Sequence, residues 1–143
     1  MEEVGKYTGR EKILNREVTP LHCLWNDVLH LTAVHPQELK ENLAKAGFQY
    51  KPMLWFKIPT NIIEGSNSIV FIQRKSEDPT SYIREYKTFD IEKMSTYRTV
   101  PSETIEYYKQ KKFEGEKPLL FHLIPHILYK GKINTDGLEI VTV

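Results

Sequence analysis

The chain is poor in cysteine: Cys23 is the only one among 143 residues. That excludes an intramolecular disulfide and any zinc site built on several thiolates, and a lone thiol suits a reducing compartment. An excess of one charge is also lacking. Twenty lysines and arginines face nineteen aspartates and glutamates, for a formal net charge of +1 at pH 7. The broad basic footprint of a duplex nucleic-acid binder is therefore missing. No apolar run approaches the roughly 18–20 residues that span a bilayer. The opening M-E-E-V-G-K-Y-T-G-R-E-K is charged and has no signal-peptide core. A cytoplasmic protein with no membrane role is the expectation. Glycine-rich phosphate loops and the G-x-S-x-G, H-E-x-x-H and EF-hand patterns are absent.

What remains is an ordinary globular composition, 40% hydrophobic and 27% charged, in a length that suits one domain. Residues 1–19 are polar and without clear periodicity, and read as a mobile lead-in. Residues 20–143 read as a single α+β domain. The pattern predicts a mostly antiparallel sheet of about six or seven strands with two main helices packed on it.

The most informative stretch runs from Val28 to Phe48, V-L-H-L-T-A-V-H-P-Q-E-L-K-E-N-L-A-K-A-G-F. Leu29, Leu31 and Ala33 alternate with His30 and Thr32, which predicts a strand over 28–32 with His30 and Thr32 on one face. Pro36 suits the first position of a helix, Glu38 and Lys45 complement its dipole, and Gly47 supplies a left-handed stop. Leu39, Leu43 and Ala46 form its buried stripe.

Elsewhere, Leu21, Leu24 and Val28 fall at helical spacing and predict a short helix. Met53–Ile58 reads as a buried strand, and Ser68–Arg74 as a β-branched one. Tyr82–Asp90 and Tyr97–Val100 read as further strands. Ser102 is a good N-cap for a second helix that reaches Lys112 and closes at Gly115. Leu119–Lys130 reads as two strands meeting at Pro125, and Leu138–Val143 as a last strand. Trp55 and Phe56, adjacent on a strand, point to opposite faces.

Two of the five histidines, His30 in V-L-H-L-T and His126 in I-P-H-I-L-Y, sit in apolar strand-like contexts far apart in the chain. In this the chain resembles the two-histidine phosphoesterases, which carry H-x-T or H-x-S on two central strands facing one cleft. His30-Leu31-Thr32 matches that motif. His126-Ile127-Leu128 and His122-Leu123-Ile124 put an aliphatic residue where the family has a hydroxyl.

The resemblance implies His30, Thr32 and His126 as catalytic residues, with Tyr129 on the rim and His122 as a further ligand contact. Imidazoles with pKa values near about 6.5 could then exchange roles as base and acid. With the second hydroxyl missing, a small nucleotide or phosphate-ester binding protein is as natural an expectation as a degenerate phosphoesterase. The same stretch is similar to the opening of the ADP-ribosyltransferase fold. That likeness implies a tyrosine (Tyr82, Tyr86 or Tyr97) against nicotinamide and Glu103 as the acid. A third expectation is a non-enzymatic module with a protein partner, working through a sheet edge or an aromatic patch around Trp55 or Tyr107. No metal site and no cofactor are expected, because His30 and His35 lack one-face helical spacing and no cysteine cluster assists them.

Overall fold

A computed structural model describes residues 16–63, 65–78 and 81–143. Among the described residues, eight strands and two α-helices follow one another as β1 (Glu17–Val18), β2 (Cys23–Leu24), β3 (Leu29–Leu31), α1 (Pro36–Lys45), β4 (Leu54–Lys57), β5 (Ser68–Lys75), β6 (Tyr82–Thr88), α2 (Ser102–Glu114), β7 (His126–Tyr129) and β8 (Glu139–Thr142). The α+β class is as expected. The strands are divided among a four-stranded antiparallel sheet, ordered β3-β7-β5-β6, and two antiparallel ribbons, β1-β2 and β4-β8. Among the described residues no helix is long and apolar enough to cross a membrane.

Residues 1–15 of the expected lead-in lie outside the described residues. From Arg16 onward the chain belongs to the fold, and Val18 is fully buried. Val18, Leu21, Trp25 and Val28 cover one face of the four-stranded sheet, against Phe71 and Leu128. Val70 and Ile127 occupy the other face, with Met94 across from them. This two-sided burial follows from the period of two along β5 and β7. A third cluster, which includes Leu39, Leu43, Tyr108 and Ile124, joins α1 to α2.

α1 forms where expected, with Leu39 and Leu43 buried and Gly47 at φ +98°. Its cap is His35, whose Nδ1 accepts from the Gln37 N–H at 3.0 Å. α2 also ends as expected, on Gly115 at φ +71°. Ser102 is not its cap: Pro101 holds that position and makes no side-chain cap bond.

Four other expectations are corrected. The short helix near Leu21–Val28 is two 3-10 turns, Thr19–Leu21 and Trp25–Asp27, separated by β2. Asp27 breaks the helical path by accepting the Leu24 N–H on its carboxylate at 3.0 Å. No strand forms at Tyr97–Val100: Tyr97 ends a 3-10 helix, Ile91–Tyr97, that the Asp90 carboxylate caps through the Glu92 N–H and Met94 pins to the core, and 98–99 follow it as a bend.

Met53–Ile58 is a strand but not a buried one, because its ribbon covers only one side of it. Trp55 is half-buried against Phe121, while Leu54 and Phe56 are exposed. Finally, 119–124 is a run of turns rather than a strand, with Leu123 at φ +62°. The side chains of α2 supply its backbone partners in place of a neighbouring strand. The Leu119 N–H donates to the Tyr107 hydroxyl, and the Tyr108 and Thr104 hydroxyls donate to the Leu120 and His122 carbonyls.

Candidate functional site

β3 and β7 are neighbours in the sheet, with His30 opposite Leu128 and Leu31 opposite Ile127. His126 lies two residues before Leu128 on β7, so alternation puts both histidines on the same face. Their ring centroids are 5.9 Å apart and their planes stand at 86°. Trp25 lies against both rings, at 4.7 Å from His30 and 5.9 Å from His126. Phe71 and Phe121 flank His126 at 6.1 and 6.5 Å.

The electrostatics follow from this aromatic enclosure. Nε2 of His30 lies 3.3 Å from the Trp25 carbonyl oxygen. That contact assigns the proton to Nε2 in the neutral ring and leaves Nδ1 as an acceptor. Burial lowers the His30 pKa, and the bond to the Trp25 carbonyl opposes the shift in part. His126 is pushed down to about 4, first by burial and then by the charge of His30, against a hydrogen bond with the Phe121 backbone. Both rings are therefore neutral at neutral pH. Such a pair can accept protons, but neither ring carries the proton that a general acid must give.

The two histidines open onto a cleft of about 730 Å³, and Thr32 also lines it. Thr32 Oγ1 accepts the Val34 N–H at 3.1 Å, which holds the turn leading into α1 and leaves the hydroxyl proton uncommitted in that bond. The cleft passes around the open end of β3 and β7. β4 forms one wall and the 3-10 helix 91–97 another. Two cations stand among the lining residues, Lys57 at the end of β4 and Arg98 just after the 3-10 helix. Lys57 Nζ is also 3.7 Å from a Glu139 carboxylate oxygen, an exposed pair. None of the described lining residues carries a carboxylate.

The other expected site residues lie elsewhere. Tyr129 is buried, points to the face of β7 opposite His126, and is not among the residues that line the cleft. His122 is also outside it, stacked on Tyr107 at 3.9 Å and 29° with Tyr82 edge-on at 5.7 Å. Burial lowers its pKa, and Lys75 and Lys111 add to that effect. The tyrosines and acid suggested by the ADP-ribosyltransferase likeness do not gather at this cleft. Tyr82, Tyr86, Tyr97 and Glu103 are all outside its lining.

Arg98 and Lys57 were missed in the sequence. Neither stands in a motif, and only the path of the chain through the 3-10 helix and the β4-β8 ribbon brings them to the histidines' cleft. Among the described residues no group of three or more His, Cys, Asp or Glu side chains could hold a metal ion. In comparisons with known proteins, no family model, no curated protein and no solved structure matches the chain significantly, so the cleft itself must carry the functional argument.

Proposed function

We propose that the cleft binds a small phosphate ester, with His30, His126 and Thr32 as hydrogen-bonding partners and Arg98 and Lys57 as countercharges. A nucleotide is one such ester. The observation that carries this reading is the meeting of His30 and His126, 5.9 Å apart, at a cleft whose charged described residues are all cationic. Two neutral imidazoles, His126 buried among aromatic rings and His30 more open beside Trp25, cost little while the site is empty. An arriving dianion favours their protonation and gains charge-assisted hydrogen bonds in return. A guanidinium adds a planar, permanently charged fork suited to phosphate.

On this reading binding comes before turnover. Acid–base cleavage of an ester needs a protonated ring to give its proton to the leaving oxygen, and the low pKa of His126 makes that form scarce at neutral pH. Hydrolysis then depends on the bound dianion raising one imidazole far enough to supply that proton.

The test is calorimetry and thermal shift against inorganic phosphate, simple phosphate monoesters, nucleoside monophosphates, cyclic nucleotides and 2′,5′-linked dinucleotides, with product analysis on each. Saturable binding that is weakened at least tenfold by Arg98→Gln and by His30→Ala supports the reading. A panel in which no phosphate ester binds, or in which binding ignores both substitutions, overturns it.

A further inference from the structure

We infer that the ester taken by this cleft is an amphiphile, a phosphate head carried on an aliphatic chain, and not a nucleotide. The inference rests on the phosphate-ester reading of the site and narrows it to a chemical class.

A nucleobase presents several donors and acceptors on its edges, and proteins meet them with the amides of Asn and Gln or with carboxylates. None of the described lining residues is Asn, Gln, Asp or Glu. Apart from the histidines, the two cations and the unpaired indole N–H of Trp55, the polar side chains are the hydroxyls of Thr32, Thr60 and Ser95. A buried base or ribose would leave polar groups unpaired, each at a substantial cost. An aliphatic chain has no such groups to satisfy.

Leu31, Ile58, Ile63, Met94 and Ile127 contribute branched or flexible aliphatic surface. Trp55 and Phe121 do not form a slot for a flat base: they pack edge to face on each other, centroids 6.2 Å apart and planes at 77°. At about 730 Å³ the cleft is of the size that holds a drug-sized molecule, well beyond a phosphate with a short ester group.

Apolar side chains are also exposed beside the cleft. Phe56 lines it and is nevertheless 52% exposed. Leu54, two residues earlier on β4 and so on the same face, is 73% exposed, and Ile140, directly opposite Phe56 on β8, is 56% exposed. Contiguous bare apolar surface of this kind signals a binding role. Phe56 belongs both to this exposed face and to the cleft wall, so an alkyl chain has apolar side chains to lie on as it enters and where it projects.

The experiment titrates the protein by calorimetry with inorganic phosphate, AMP and butyl, hexyl, octyl and decyl phosphate, all below their micellar concentrations. The inference expects affinity to rise about two- to fourfold per added methylene, as burial of each CH₂ predicts, and decyl phosphate to bind more tightly than AMP. Phe56→Asn, at an exposed position that leaves folding intact, should flatten the chain-length dependence. Arg98→Gln should weaken every ester by a similar factor and leave the slope unchanged. AMP binding more tightly than decyl phosphate, or affinity independent of chain length, overturns the inference while the phosphate-ester site stands. If no phosphate compound binds, both fail.

Discussion

From a fully buried position on α2, the Thr104 hydroxyl donates to the backbone carbonyl of His122 at 2.8 Å. This bond fastens the helix to the turns that lead into His126. Thr104→Val keeps the shape but leaves that carbonyl unpaired, and should cost about 1–3 kcal/mol. Thr104→Ser should recover most of the loss. Urea unfolding of the three proteins measures both effects, and equal stability of the valine and serine variants would show that the bond contributes nothing.

Acid should weaken the fold through His126. Its unfolded pKa is near 6.5 and its folded value about 4, so above pH 6.5 both states are neutral and no penalty applies. As pH falls from 6.5 towards 4, the unfolded chain binds a proton that the folded protein refuses. The fold loses up to about 3 kcal/mol over that window. His30 and His122, also lowered by burial, act in the same direction. Unfolding free energies for the wild type and His126→Gln should differ by a constant above pH 7 and by a changing amount between 6.5 and 4.

Binding of a phosphate ester should be linked to proton uptake. A dianion beside two rings that are neutral when the site is empty raises both pKa values, so affinity should increase as pH falls from about 7.5 to 6. Calorimetry in buffers of different ionisation enthalpy counts the protons directly. His30→Ala should lower the count. Zero uptake in the wild type would mean that the imidazoles do not face the phosphate.

Two glycines at positive φ should differ in their tolerance of a methyl group. Gly115, the helix stop at φ +71°, has nothing within 4 Å of an added Cβ, so Gly115→Ala should cost about 1 kcal/mol of backbone strain alone. Gly131, at φ +152°, would place its Cβ 3.0 Å from Cε1 of Tyr129. Tyr129 is buried and cannot swing away freely, so Gly131→Ala should cost about 2–3 kcal/mol. Thermal or urea unfolding of the two variants tests the order.

Much of the fold was legible where local chemistry and tertiary packing agree. α1 carries its own start and stop signals in Pro36, Glu38, Lys45 and Gly47. The β-branched run of β5 reads as a strand and is one, and the structure places it inside the four-stranded sheet between β7 and β6. The nearness of His30 and His126 was legible only as far as both lie in apolar strand contexts. That β3 and β7 are adjacent is a fact of topology, which no local pattern states.

The failures share a cause. Residues 119–124 look like a strand because they are apolar, but hydroxyls from α2 meet their backbone groups first. The left-handed Leu123 and the following Pro125 then send His122 and His126, only a few residues apart, into different surroundings. Arg98 had no signal at all, since its place at the cleft depends on the 3-10 helix that Asp90 caps.

The β4-β8 ribbon has a dynamic consequence. Among the described strands β4 pairs with β8 alone, and the pairing is closed by reciprocal bonds between Met53 and Val143 of 2.7 and 3.1 Å. One flank of the cleft therefore hangs on a short two-stranded strap, while the histidines sit on a separate four-stranded sheet. Deuterium should enter the amides of 54–57 through partial unzipping, well before those of β5 and β7, which need near-global unfolding. Access to the hollow and endurance of the molecule are thereby governed by different parts of the polypeptide.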